Sequence, residues 1–162
     1  MKSILNIVLL SLTAMGVSEA AAAYRPSSWE RQIVAACLVL EAADQEEIGM
    51  RAVASVIRNR ALGDGKRMLK VVKRPYAFSS LNGATTGRTG GSGYAIHVRK
   101  ASQDRHWAAA LRIVDEMYSS EWRDVTFGAD HYVRLDVDPK WARSMSETAV
   151  IGRHRFYASQ RN

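Results

Sequence analysis

The sequence predicts an α+β domain, on three observations. Apolar residues recur at helical spacing through the first two-thirds of the chain. After about Asp124 the pattern breaks into short segments rich in aromatic and β-branched residues: Val125-Thr126-Phe127, His131-Tyr132-Val133 and Arg155-Phe156-Tyr157. Glycine, proline and acidic residues punctuate the segments at plausible element ends. The 162 residues suffice for one domain with a real core and are too few for two.

Residues 1–23 are read apart from that domain. Lys2 precedes an apolar stretch from Ile4 to Val17, and Ser18 to Ala23 supplies the small residues of a signal-peptidase site. The pattern predicts an export signal cleaved after Ala20 to Ala23, or a retained anchor, with the domain proper over residues 24–162. This segment is the one expected membrane contact.

Ser27-Ser28-Trp29-Glu30 after Pro26 has the form of a capping box and opens a first helix from about Ser28 to Ala43. Ile33, Cys37 and Glu41 lie four apart on it, so a carboxyl group closes an apolar line near the negative end of the helix dipole. Both surroundings disfavour the carboxylate and predict a raised pKa, the property a general acid needs. Asp44-Gln45-Glu46-Glu47 reads as a weaker capping box opening a second helix, about Gln45 to Leu62. Its expected inner face is Ile48, Ala52, Val53, Val56 and Ile57, and Gly63-Asp64-Gly65 stops it. Met68 to Val72 predicts a short helix ended by Arg74-Pro75. Asn82 to Gly93, with five glycines and no Gly-Lys-Ser/Thr ending, predicts a mobile surface loop and is no phosphate loop. A third long helix is expected from a cap near Asp104, with Trp107, Ala108, Leu111, Val114 and Met117/Tyr118 inward. Asp138-Pro139-Lys140-Trp141 is turn-like and can lead into a short helix.

The net charge of +7 is unchanged when residues 1–23 are set aside, since they carry Lys2 and Glu19. A basic exported protein needs an anionic partner, and an acidic cell-wall polymer, nucleic acid and anionic lipid all qualify. No RNP, helix-turn-helix or zinc motif appears, and nucleic acid also conflicts with export. The single cysteine, Cys37, lies within the apolar helix and provides no disulfide framework.

Taken together, Glu41-Ala42-Ala43-Asp44-Gln45, Gly49 eight residues after Glu41, Asn59-Arg60, Tyr76-Ala77-Phe78-Ser79, Gly128-Ala129-Asp130-His131-Tyr132 and Ile151-Gly152-Arg153-His154-Arg155-Phe156-Tyr157 form an ordered series. It resembles the SleB/CwlJ-like cell wall hydrolases, the family of spore cortex-lytic enzymes, over about residues 31 to 158. The family's Glu-Ala-Arg-Gly-Glu segment is altered here, because its Arg, Gly and second Glu are replaced. Ala77 stands where Gln is usual, and Asp130 where Thr is usual.

The resemblance implies a lysozyme-like or lytic-transglycosylase-like helical domain with a small antiparallel sheet. It implies cleavage of peptidoglycan between N-acetylmuramic acid and N-acetylglucosamine, as lytic transglycosylase or muramidase. A monomer without cofactor is expected. Glu41 takes the catalytic role. Phe78, Ser79, Asp130, His131, Tyr132, His154 and Tyr157 become substrate-binding candidates, with Phe78, Tyr132, Trp141 and Tyr157 offered for sugar stacking. Asp130 is the best second carboxylate for a two-carboxyl mechanism. His131 and His154 lack an H-E-x-x-H or paired-Cys context, so hydrogen bonding is preferred to zinc ligation, and no metal site is assigned. His97 and His106 are read as surface residues. The competing readings are a non-catalytic basic wall-binding protein on the same fold, and a metal-dependent wall amidase or peptidase using His131 and His154. Own-wall remodelling and host lysis by an endolysin stay open.

Overall fold

A computed structural model describes residues 24–88 and 93–160. The expected export segment and residues 89–92 of the expected loop lie outside the described residues. Among the described residues six α-helices precede the sheet: α1 (Ser28–Ala42), α2 (Glu46–Arg60), α3 (Gly65–Val72), α4 (Asn82–Thr85), α5 (Gly93–Ala101) and α6 (Trp107–Met117). Three strands follow, β1 (His131–Arg134), β2 (Ser146–Ile151) and β3 (His154–Ala158), in antiparallel order β1-β3-β2.

α1 starts at a complete capping box, with the Ser27 hydroxyl accepting from the Glu30 amide at 3.2 Å and the Glu30 carboxylate accepting from the Ser27 amide at 2.8 Å. From Ile33 to Val39 every residue is buried, so α1 is apolar on all faces rather than along one line. It is the central helix, with α2, α3, α5 and α6 packed around it.

α2 is buried on two sides. Met50, Val53, Ala54 and Ile57 join the α1 core. Ala52 and Val56 face a second cluster formed with Ala129 and Phe156 beneath the sheet. Helix α2 is therefore the layer between the helical core and the strands. Its start corrects the sequence reading: no side chain caps it, and Ile48 in its first turn is 49% exposed. A 3-10 turn over Ala43–Gln45 separates it from α1, and Glu46 sits at φ 59 to make the corner. Gly49 is required there, because a Cβ would lie 2.5 Å from the Gln45 Cβ and 3.2 Å from the Ala42 carbonyl oxygen.

Elsewhere the helices are displaced from expectation. Asn82–Thr85 is a helical turn packed on α5 rather than loop, and α5 itself was not anticipated behind the glycines. In α6 the inner face is Ala110, Ile113, Val114 and Met117, while Ala108 is exposed. His106 is not a free surface residue, since it joins Asp104 and Glu46 at 2.9 Å each. Val125–Phe127 is a turn and not a strand. Strand β2 was also unforeseen, whereas Lys140–Ser144 forms the expected short helix, of 3-10 type. Gly152 begins the two-residue β2–β3 connection at φ +57, a value that favours glycine.

Gly49→Ala should destabilise the fold by about 1–3 kcal/mol through overpacking against Gln45. A chemical-denaturation midpoint equal to that of the parent protein would show that the α1–α2 corner yields without cost.

Candidate active site

Glu41 lies in the last turn of α1 and opens into a cleft of about 470 Å³ lined also by Leu40, Gln45, Lys100, Arg134, Arg153 and His154. Three donors converge on its carboxyl group. The Tyr132 hydroxyl donates to Oε2 at 2.5 Å, the Ser80 amide to Oε1 at 2.8 Å, and the Ser79 hydroxyl to Oε1 at 3.3 Å. Tyr132 stays a phenol: burial, and then the neighbouring Glu41, push its pKa well above the usual 10.

The donors are placed from two directions by the end of α2. Arg60 donates through Nε to the Asp130 carbonyl at 2.6 Å and through Nη1 to the Ala77 carbonyl at 3.2 Å, with its guanidinium 5.2 Å from the Phe78 ring centroid. The first contact fixes the start of β1, hence Tyr132, and the second fixes the chain leading to Ser79 and Ser80. Asn59 donates to the Asp124 carboxylate and the Ala129 carbonyl, both at 2.9 Å. Asp124 in turn accepts from the Thr126 and Gly128 amides at 2.7 Å each, which closes the turn before β1.

On the far wall, the Gln45 amide nitrogen lies 2.9 Å from His154 Nδ1, and Gln45 Oε1 accepts from the Arg153 amide at 2.7 Å. With Gln45 donating, Nδ1 is the acceptor and the ring proton sits on Nε2. The His154 ring meets Tyr132 edge-on at 5.0 Å between centroids. Gly152 allows Gln45 to approach this closely.

The sequence-predicted site residues divide. Glu41, Ser79, Tyr132 and His154 come together at the cleft. His131 and Tyr157 do not, because strand residues alternate in facing. Tyr132 and Arg134 pair with Phe156 and His154 on the helix side, whereas His131 pairs with Tyr157 on the opposite face. There His131 and Tyr157 pack against Trp141, at centroid distances of 5.4 and 5.6 Å. Being on opposite faces, His131 and His154 share no metal, and no group of three His, Cys, Asp or Glu among the described residues is arranged to hold one.

Asp130 is not a second carboxylate of the cleft. It accepts from the Ser159 amide at 2.9 Å and from the Ser159 hydroxyl, and meets His131 Nδ1 at 2.9 Å. Burial raises its pKa, but the bonds from Ser159 and His131 outweigh this and hold it below the usual range. Phe78 is 2% exposed and Tyr157 7%, so both pack rather than stack on sugar. Sequence reasoning missed Gln45, Arg60 as a positioning group, and Ser80. Ser80 acts through its main-chain amide, for which no residue type is diagnostic. Gln45 carried a signal, since it fills the last position of the altered Glu-Ala-Arg-Gly-Glu segment.

A helical core, a small antiparallel sheet on one side and a carboxyl-bearing cleft at their junction frame the site. The sequence model of the family described as Cell Wall Hydrolase matches residues 44–157, and the chain belongs to that family. Its substrate is accordingly peptidoglycan. The matched stretch begins three residues after Glu41. Two solved structures share the fold. The catalytic domain of the germination-specific lytic transglycosylase SleB from Bacillus anthracis superposes with a TM-score of 0.53 at 23% identity, covering 82% of this chain and 96% of that one. The catalytic domain of the Bacillus cereus SleB protein gives 0.50 at 22% identity, covering 81% and 91%. No curated protein matches the chain.

Burial, reinforced by Arg153 and Arg134 and opposed by Glu41, holds the His154 pKa below the usual 6.5. The folded state thus favours neutral His154 more than the unfolded chain does. Its contribution to stability is complete above 6.5 and is lost as pH falls from there through the folded-state value. Thermal unfolding should show this loss in the parent protein and a flatter profile in His154→Gln. Parallel profiles for the two would place the titration elsewhere.

Proposed function

We propose that the protein cleaves the glycan between N-acetylmuramic acid and N-acetylglucosamine, with Glu41 as the single general acid and base. The observation that carries this is the Glu41 carboxyl group, held by Tyr132, Ser80 and Ser79 in an open cleft. The other carboxylates of that cleft are engaged. Asp44 pairs with Arg153, and Asp104 binds His106 through its ring at 2.9 Å and its amide at 2.8 Å. Asp130 lies outside the cleft, bound to Ser159 and His131.

One carboxyl group suffices when the substrate supplies the nucleophile. Protonated Glu41 gives its proton to the glycosidic oxygen, and the C1–O bond of the muramic residue breaks. The resulting carboxylate takes the proton from the muramic C6 hydroxyl. That oxygen closes on C1, giving a 1,6-anhydro end and restoring the acid. The Tyr132, Ser80 and Ser79 donors orient the carboxyl group and stabilise it as carboxylate midway. Muramidase action would place water where the C6 hydroxyl attacks and leave a reducing end. The expected export signal supports an enzyme working at the wall, and among the described residues no helix is long and apolar enough to cross a membrane.

Glu41→Gln keeps size and shape but cannot deliver a proton. Its glycan cleavage on purified wall should fall by at least about 10³-fold, near the upper range for general acid–base catalysis. Full activity would sink the assignment, and persistent wall binding without cleavage in the parent protein would favour a non-catalytic wall binder. Tyr132→Phe removes one bond to the carboxylate and should cost about 10–100-fold in kcat, matching ~1.5–3 kcal/mol for a charge-assisted bond. Mass spectrometry of released muropeptides separates the two products, since the anhydro and reducing ends differ by one water.

A further inference from the structure

A second and larger cavity, about 950 Å³, reaches Ala77, at the start of the segment that leads to Ser79 and Ser80. Its lining includes Arg60, Arg67, Lys70, Lys73, Arg74 and Tyr76. Their charges are not equally committed. Arg60 is spent on two carbonyls and the Phe78 ring. Arg67 pairs with Asp64 at 3.4 Å, and Lys73 sits 5.0 Å from the Tyr94 ring centroid. Lys70 and Arg74 are exposed and make no ion pair among the described residues. Asp130, an acidic residue of the lining, is taken up by Ser159 and His131.

Tyr76 stands at the lip of this groove. The Ala77 amide bonds the Arg74 carbonyl at 3.1 Å, so Arg74-Pro75-Tyr76-Ala77 is a turn with proline second. Tyr76, third, has φ +62, where a turn of type II calls for glycine. The residue is 75% exposed. A tyrosine here strains the backbone and buries almost nothing in return, so its side chain is open to a ligand in the groove.

We infer that this groove binds the free carboxylates of the peptide stems carried by the glycan under cleavage, with Lys70 and Arg74 as ion-pair donors and Tyr76 packing on the stem or its sugar. The inference rests on the glycan-cleaving reading of the Glu41 cleft. Charge complementarity supplies the ligand class. Position selects the source. The wall of the groove at Ala77 continues into Ser79 and Ser80, and His131 of its lining precedes Tyr132. All three residues so reached bind Glu41. A stem carried by the strand cut at Glu41 is tethered beside these shared segments, whereas a separate phosphate-bearing polymer has no such tether. The consequence is a preference for stem-bearing over bare glycan.

The test is calorimetric titration of the full chain carrying Glu41→Gln, which binds without cutting. The probes are a disaccharide bearing its peptide stem, the same disaccharide without peptide, the stem-bearing form with amidated carboxylates, and a glycerol phosphate oligomer. The stem-bearing probe should bind about tenfold more tightly than the bare one, the worth of roughly one charge-assisted contact. That advantage should disappear on amidation and in Lys70→Gln/Arg74→Gln. Tyr76→Gly relieves the strained turn, so its unfolding temperature should hold or rise while affinity for the stem-bearing probe falls. A purely structural Tyr76 would not separate the two readouts. Equal binding of stem-bearing and bare probes, including no binding of either, overturns the inference. So does an oligomeric phosphate that binds more tightly and loses its affinity in the same double variant. Cleavage of bare glycan by the parent protein is scored separately. Its absence would remove the glycan-cleaving reading, while a stem-dependent affinity would still establish the groove.

Discussion

The site depends on one half-buried cation. Arg60 ends α2 with its guanidinium between two carbonyls and an aromatic face, and each carbonyl belongs to a segment that delivers a donor to Glu41. Burial lowers its pKa, with Tyr132 and Asp130 acting against the shift. Among the described residues no carboxylate pairs with it, so main-chain carbonyls and the Phe78 ring supply its partners. Such an arrangement tolerates little. A guanidinium forks to two acceptors in fixed geometry, and an ammonium of similar length does not reproduce that fork. Loss of either bond would leave a polar group desolvated as well as freeing a wall of the cleft.

The opposite wall is held by uncharged chemistry. Gln45 bridges from the α1–α2 corner to the β2–β3 turn, giving one bond to His154 and accepting one from Arg153. Two glycines make room for it, Gly49 at the helix corner and Gly152 in the strand turn. In the Glu-Ala-Arg-Gly-Glu pattern that this segment resembles, an acidic residue stands at this position. A carboxylate there would attract a proton to His154, whereas the amide and burial together keep the imidazole neutral. A neutral ring beside Tyr132 adds no cation to the surroundings of Glu41.

The position of Glu41 at the end of an apolar helix was legible because its signal is local. An apolar helix ending in a single acidic residue is visible in ten residues of sequence, as is the capping box at its start. The helices around it were legible for the same reason, apart from α5, which follows a glycine-rich stretch that offers no apolar period. The strands show the limit. Asp130, His131 and Tyr132 are contiguous, so sequence reading places them in one cleft, but a strand turns alternate side chains to opposite faces. Only Tyr132 reaches Glu41. Strand β2 was hidden because Ser146 and Glu147 are exposed and a register shift between Glu147 and Ala149 breaks its alternation. The Gln45–His154 contact joins residues 109 apart and had no local pattern to announce it.

These facts give the domain a division of labour. α1 is buried on every side from Ile33 to Val39 and holds Glu41 on the least deformable element present. The partners of Glu41 arrive from outside that core, two from a 3-10 turn over Ser79–Leu81 and one from a strand. β3 is the central strand and joins both others, so Tyr132 on β1 and His154 beside the β2–β3 turn are set by one hydrogen-bonded ladder. Movement of the sheet against α2 would shift Tyr132 and His154 together while leaving Glu41 in place. The small apolar cluster of Ala52, Val56, Ala129 and Phe156 is what opposes that movement. Packing there, beneath the sheet and away from the cleft, therefore governs the geometry around the carboxyl group as directly as the bonds that touch it.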